Sequence, residues 1–152
     1  MNNQVSKMIE FVARCAEPDK LRQIAKNADV GGEPSLAMAA RLRLYEVLPA
    51  EKPGTLEHAV WQSIYALEDV LKQERGKTIL LARTRQKIAR HGEVRCVADL
   101  VSGPPSDGFQ MLLDRDMLDL SFEAVALKFP DKFEQITLDA ARSRLDAAGY
   151  GA

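Results

Sequence analysis

The chain contains few residues of the types that build metal sites, disulfides and aromatic surfaces. Its 152 residues include two cysteines, two histidines and one tryptophan, and aromatic residues make up 6% of the total. Cys15 and Cys96 have no further thiols near them and no secretory context, so we expect two small buried thiols and no disulfide. His58 and His91 are too few for a zinc site. We therefore expect no metal and no cofactor.

Long apolar runs and an excess of one charge are also missing. The longest apolar run, Leu36 to Ala40, is far shorter than the roughly 20 residues of a membrane-spanning helix. The N-terminus lacks the apolar core of a signal peptide. With 21 basic and 22 acidic residues, the net charge of −1 attracts neither nucleic acid nor a membrane surface as a whole. We expect a cytoplasmic protein without a membrane partner.

Recognisable catalytic sets are absent too. Gly76-Lys77-Thr78 resembles the end of a phosphate-binding loop, but position 71 is Leu where that motif needs glycine. Gly76 is instead predicted to end one helix shortly before the next begins. The acidic pair Glu68-Asp69 falls on a polar helix face, which is typical of solvated charge. No acid, base and nucleophile stand in recognisable spacing, so we expect no catalytic residues and no enzyme.

The apolar residues that are present recur at helical spacing. At 46% apolar and 28% charged, the composition is typical of a globular chain with one core. The periodicity predicts an all-α fold, a compact multi-helix domain of about eight or nine helices. Its first half is expected to form antiparallel helical pairs around a long central helix that begins after Thr55. The apolar stripe of that helix consists of Leu56, Val60, Ile64, Leu67 and Leu71.

Shorter helices are predicted in the second half, among them one from about Thr78 to His91 and one from Leu138 to Ala148, capped by Thr137. Four of the five phenylalanines fall between positions 109 and 133, which indicates a second packing centre. We expect residues 1–152 to form a single domain, with a weak subdomain boundary near Gly76.

Charge is distributed unevenly along the chain. Between Lys72 and Cys96 there are eight basic and two acidic residues, a local net charge of +6, whereas the remainder holds 13 basic and 20 acidic residues. Arg83, Lys87 and Arg90 fall within about 60° of one another on a helix and form what we call the basic ridge. Leu81, Ala82, Ile88 and Ala89 are predicted to back this ridge on the opposite face. Arg85 falls among those apolar positions, so we expect it to pair with a buried acid or to extend its head towards water.

A solvent-facing basic ridge predicts contact with the phosphate backbone of DNA or RNA. The nucleic-acid-binding residues would be the ridge itself and three flanking cations, Arg75, Lys77 and Arg95. Two other interpretations stay open. The cations can pair internally, for example with Glu57, Glu68 and Asp69. Alternatively the chain is a helical protein-protein interaction module or homo-oligomer, with polar and aromatic residues exposed around Tyr45, Trp61 and Tyr65, although Trp61 itself fits the core better.

Overall fold

Helices form the regular secondary structure of residues 3–151, the part of the chain that the computed structural model describes. Within this range there are nine α-helices and no strand, which confirms the all-α prediction. The helices are α1 (Asn3–Arg14), α2 (Pro18–Val30), α3 (Pro34–Val47), α4 (Leu56–Arg75), α5 (Ala82–His91), α6 (Glu93–Ser102), α7 (Asp107–Asp114), α8 (Phe122–Lys128) and α9 (Gln135–Ala147). Two short 3₁₀ turns, Leu118–Leu120 and Pro130–Lys132, lie before and after α8.

The helices fall into two compact units, of which one ends at Ala50 and the other begins at Glu51. In the first unit, α2 and α3 pack along each other and α1 packs on α3. Prolines stand in the first turns of α2 and α3, where a missing backbone N–H costs nothing. The short turn at Gly31 and Gly32 lets α3 return along α2 as an antiparallel neighbour.

The second unit is built on α4, which packs against α6, α7 and α8, while α9 closes on α6 and α8. Its core contains residues from α4, α5, α6, α8 and α9, namely Leu56, Val60, Ile64, Ile88, Cys96, Val97, Val101, Val125, Ala126, Leu138 and Ala141. Phe122, Phe129 and Phe133 pack against this same core. The phenylalanine-rich region and the long helix therefore share one packing centre. Gly76, near which a boundary was predicted, lies inside this unit between α4 and α5.

Helix α4 has the ends that its sequence predicts. Thr55 Oγ1 accepts a hydrogen bond from the backbone N–H of His58 at 3.2 Å, as an N-cap residue does. Gly76 adopts a left-handed conformation (φ 71°) and its N–H bonds to the carbonyl of Lys72. All five residues of the predicted stripe are buried. Glu68, predicted on the solvated face, is buried as well, because it meets α5.

Two predicted helix boundaries are wrong. Helix α5 begins at Ala82 and not near Thr78, because the N–H of Leu81 donates to Glu68 Oε2 (2.8 Å) and the N–H of Ala82 turns back to the carbonyl of Leu80 (2.9 Å). Helix α9 begins at Gln135, two residues before the predicted cap Thr137, because the carbonyl of Glu134 already accepts helical hydrogen bonds.

Among residues 3–151 no helix is long and apolar enough to cross a membrane.

Candidate nucleic-acid interface

Two of the three basic-ridge residues project from α5 without an internal partner. Arg83 and Arg90 are exposed, and neither forms an ion pair or side-chain hydrogen bond with another residue of the described chain. They lie seven residues apart, so two helical turns bring them to the same face at a separation of about 10 Å along the axis. Arg75 at the end of α4 and Lys77 just after it are also exposed and unpaired within residues 3–151.

The third ridge residue, Lys87, is held by an internal carboxylate. Lys87 Nζ lies 2.8 Å from Asp99 Oδ2 on α6, and Arg95 Nε lies 3.1 Å from Asp99 Oδ1. The hydrogen bond from Lys87, followed by that from Arg95, lowers the pKa of Asp99 below its ordinary value. Asp99 therefore stays ionised at neutral pH. It forms ion pairs with Lys87 and Arg95, two of the six cations assigned to the interface.

Asp99 was not among the acids that the sequence suggested as internal partners. One signal was available, because Arg95 and Asp99 stand at i and i+4 on one helix. The contact to Lys87 crosses from α6 to α5 and carries no comparable signal. Glu57, one of the suggested partners, is exposed and makes no ion pair within residues 3–151.

Arg85 pairs with a buried acid, which is one of the two outcomes predicted from its position among apolar residues. Its Nε and Nη2 donate to the two carboxylate oxygens of Glu68, each at 2.7 Å. Only 10% of the Glu68 side chain is exposed. The hydrogen bond from Arg85 to Glu68 is the main reason that the pKa of Arg85 is raised. This pair fixes α5 on α4 and removes Arg85 from the surface that a ligand could use.

Aromatic rings cover the same guanidinium. Arg85 Cζ lies 5.1 Å from the ring centre of Trp61 and 5.8 Å from that of Tyr65, within the range of cation–π attraction. Trp61 packs against the core of its unit and its indole N–H donates to Glu93 at 3.4 Å. Tyr45 is fully buried, so its predicted exposure is wrong, whereas Trp61 and Tyr65 are half-buried.

The apolar backing of the ridge is narrower than predicted. Ile88 is buried and Leu81 packs against the core, but Ala82 and Ala89 are exposed. Arg83 and Arg90 therefore stand on a broadly solvated face of α5.

Within residues 3–151, no group of three or more His, Cys, Asp or Glu side chains lies close enough to hold a metal ion. Cys15 and Cys96 are buried free thiols, as the sequence predicts. Burial raises the pKa of Cys96 to about 11, so this thiol stays protonated at neutral pH.

Comparison of the chain with protein-family models, with curated proteins and with solved structures finds no match.

Proposed function

We propose that the protein binds the phosphate backbone of nucleic acid through the exposed cations on and beside α5, without acting as an enzyme. The observation that carries the proposal is the exposed pair Arg83 and Arg90, which has no internal partner in the described chain. A cytoplasmic location, expected from the sequence, fits this role.

The chemistry of these side chains favours phosphate. A guanidinium group offers two parallel N–H donors to two oxygens of one phosphate, so arginine binds this group with defined geometry. The separation of Arg83 and Arg90, about 10 Å along the axis, matches roughly three base-pair steps of a duplex strand. Such contacts depend on the charge and position of the phosphates and do not distinguish one base sequence from another.

The binding is expected to be weak and strongly salt-dependent. If Arg83, Arg90, Arg75 and Lys77 each neutralise one phosphate of a duplex, the logarithm of affinity falls with a slope of about −3.6 against the logarithm of salt concentration. Between about 50 and 200 mM salt, the affinity would then fall about a hundredfold.

The test is a filter-binding measurement of the whole chain with a duplex and a single strand of about 20 nucleotides at both salt concentrations. We expect Arg83→Glu/Arg90→Glu to weaken duplex binding at least about tenfold at the lower salt and to reduce the slope to about −1.8. The matched control is Lys132→Glu/Arg142→Glu, which changes net charge equally at exposed cations outside the basic segment. Equal losses for the two double variants, or no binding at the lower salt, would refute the proposal.

A variant of Asp99 provides a second test, in which duplex binding should become tighter and not weaker. Asp99→Asn releases Lys87 and Arg95 from their shared carboxylate, which a phosphate otherwise has to displace. We expect the variant to bind the duplex more tightly, with a steeper slope by about 0.9 for each cation that gains a phosphate contact. Asp139→Asn, at an exposed position of α9, is the control for the loss of one negative charge.

A further inference from the structure

A cavity of about 260 Å³ lies inside the second unit, where residues of α4, α5, α6, α7 and α8 face one another. Six large apolar side chains form most of its wall, namely Leu67, Leu81, Leu100, Phe109, Leu112 and Phe122. Small-molecule sites in proteins share this character, a mainly apolar concave wall with a few fixed polar groups. A cavity of about 150 Å³ already accommodates benzene, so this one can hold a substituted ring or a short chain.

One buried polar group on the wall has no partner of its own. Ser63 is 1% exposed, and its hydroxyl oxygen is buried with no hydrogen-bond partner in the described chain. The other two wall serines are occupied, since Ser106 Oγ accepts from the N–H of Phe109 and Ser121 Oγ accepts from the N–H of Ala124. A buried hydroxyl without a partner is unfavourable, so a group entering the cavity gains by bonding to Ser63.

The charge of the wall restricts what that group can be. Glu123 is buried, and its carboxylate is neutralised by Arg144 Nη1 at 2.5 Å. Arg144 also donates to the carbonyl of Gly103, so both ions of this pair are satisfied. Asp107 at the wall is an exposed acid, which disfavours an anionic ligand. A cation is disfavoured as well, because the mainly apolar wall would remove its charge from water without a buried partner, so a neutral group with one donor or acceptor fits the cavity best.

We propose that this cavity binds a small, neutral, largely apolar molecule that carries one hydroxyl or carbonyl group, and that Ser63 Oγ forms the hydrogen bond to that group. The site is separate from the basic ridge and does not depend on nucleic-acid binding.

The experiment uses two probes of the same shape, p-cresol and p-xylene, which differ by a hydroxyl in place of a methyl group. Their dissociation constants for the whole chain are measured by two-dimensional NMR titration. We expect Ser63→Ala to weaken p-cresol binding about three- to tenfold, the range of a single neutral hydrogen bond, and to change p-xylene binding less than about twofold.

A second pair of variants tests the location. Leu100 is 37% exposed at the wall, so Leu100→Trp fills the cavity from its rim and should abolish binding of both probes. Leu80→Trp, at an exposed leucine outside the wall, should leave both affinities unchanged. Circular dichroism of each variant separates lost binding from lost folding.

Three results would overturn the proposal. These are no binding of either probe, equal weakening of both by Ser63→Ala, or equal effects of Leu80→Trp and Leu100→Trp.

Discussion

Glu68 shows how a single buried charge removes one cation, Arg85, from the surface between Lys72 and Cys96. Its carboxylate accepts both guanidinium donors of Arg85 and the N–H of Leu81, so three hydrogen bonds replace the water that it loses. The sequence predicted that Arg85 would either pair with a buried acid or extend its charged end towards water, because it falls among apolar positions. The sequence also predicted that Glu68 lies on the solvent-exposed face of its helix. That prediction was wrong because a helical pattern shows which residues share a face but not which neighbouring helix covers that face.

Removing Arg85 leaves that carboxylate buried and uncompensated. We expect Arg85→Ala to lower the free energy of unfolding by about 3 kcal/mol, measured by urea denaturation of the whole chain. Arg83→Ala, at an exposed and unpaired position of the same helix, should change it by less than about 0.5 kcal/mol. The double variant Arg85→Ala/Glu68→Gln should regain part of the lost free energy of unfolding, because it no longer buries a charge without a partner. A further decrease in that free energy would contradict the assigned pairing.

Cys96 predicts a change of stability with pH. The folded thiol has a pKa of about 11 against an ordinary value of 9.0, so above pH 9 the unfolded chain releases a proton that the folded chain keeps. Stability from this group is therefore complete below pH 9 and decreases between pH 9 and 11. We expect the difference in unfolding free energy between the native chain and Cys96→Ala to shrink over this range. A pH-independent difference would contradict the assignment.

Element boundaries follow from the sequence where local chemistry sets them. Thr55 and Gly76 delimit α4 as predicted, because a side-chain cap and a left-handed glycine act within one turn of the chain. The start of α5 was placed four residues too early, since the N–H of Leu81 is taken by Glu68, a residue 13 positions away. The cavity wall comes from five helices and escaped prediction for the same reason, because pairings between distant segments leave no periodic signal.

Gly76 and Gly103 form a matched pair at the ends of two helices of the second unit. We expect Gly76→Ala to lower the free energy of unfolding by about 1 kcal/mol, because its positive φ strains an L-residue. Gly103 has an ordinary backbone (φ −86°), and a Cβ there would lie 3.5 Å from the nearest atom, so Gly103→Ala should be neutral or slightly stabilising. Thermal and urea denaturation distinguish the two variants, and equal losses would contradict this account.

At the scale of the whole molecule, the chain divides into two compact units between Ala50 and Glu51. Hydrophobic periodicity did not predict this position. The core of the second unit draws only on residues from Leu56 to Ala141, including three on α4. A weak subdomain boundary near Gly76 was predicted because four of the five phenylalanines fall between positions 109 and 133, which indicated a second packing centre. Three of these phenylalanines pack against the same core as the residues of α4, and this contact leaves no signal in the periodicity.

This division is tested with two fragments. Residues 51–152 should keep a cooperative unfolding transition, since their core residues lie within the fragment. Residues 77–152 lack Leu56, Val60 and Ile64, each at most 1% exposed, and we expect this fragment to lose its cooperative transition. Circular dichroism during heating measures both, and cooperative folding of the shorter fragment would place the boundary near Gly76.

The contact between Trp61 and Arg85 makes the intrinsic fluorescence of Trp61 sensitive to the packing of α5 on α4. Trp61 is the single tryptophan of the chain, and its ring centre lies 5.1 Å from Arg85 Cζ and 6.1 Å from the ring centre of Tyr65. The fluorescence of one indole then monitors the junction between α4 and α5 without any label. Loosening of that junction would shift the emission to longer wavelength, while an event elsewhere in the molecule would leave the spectrum unchanged.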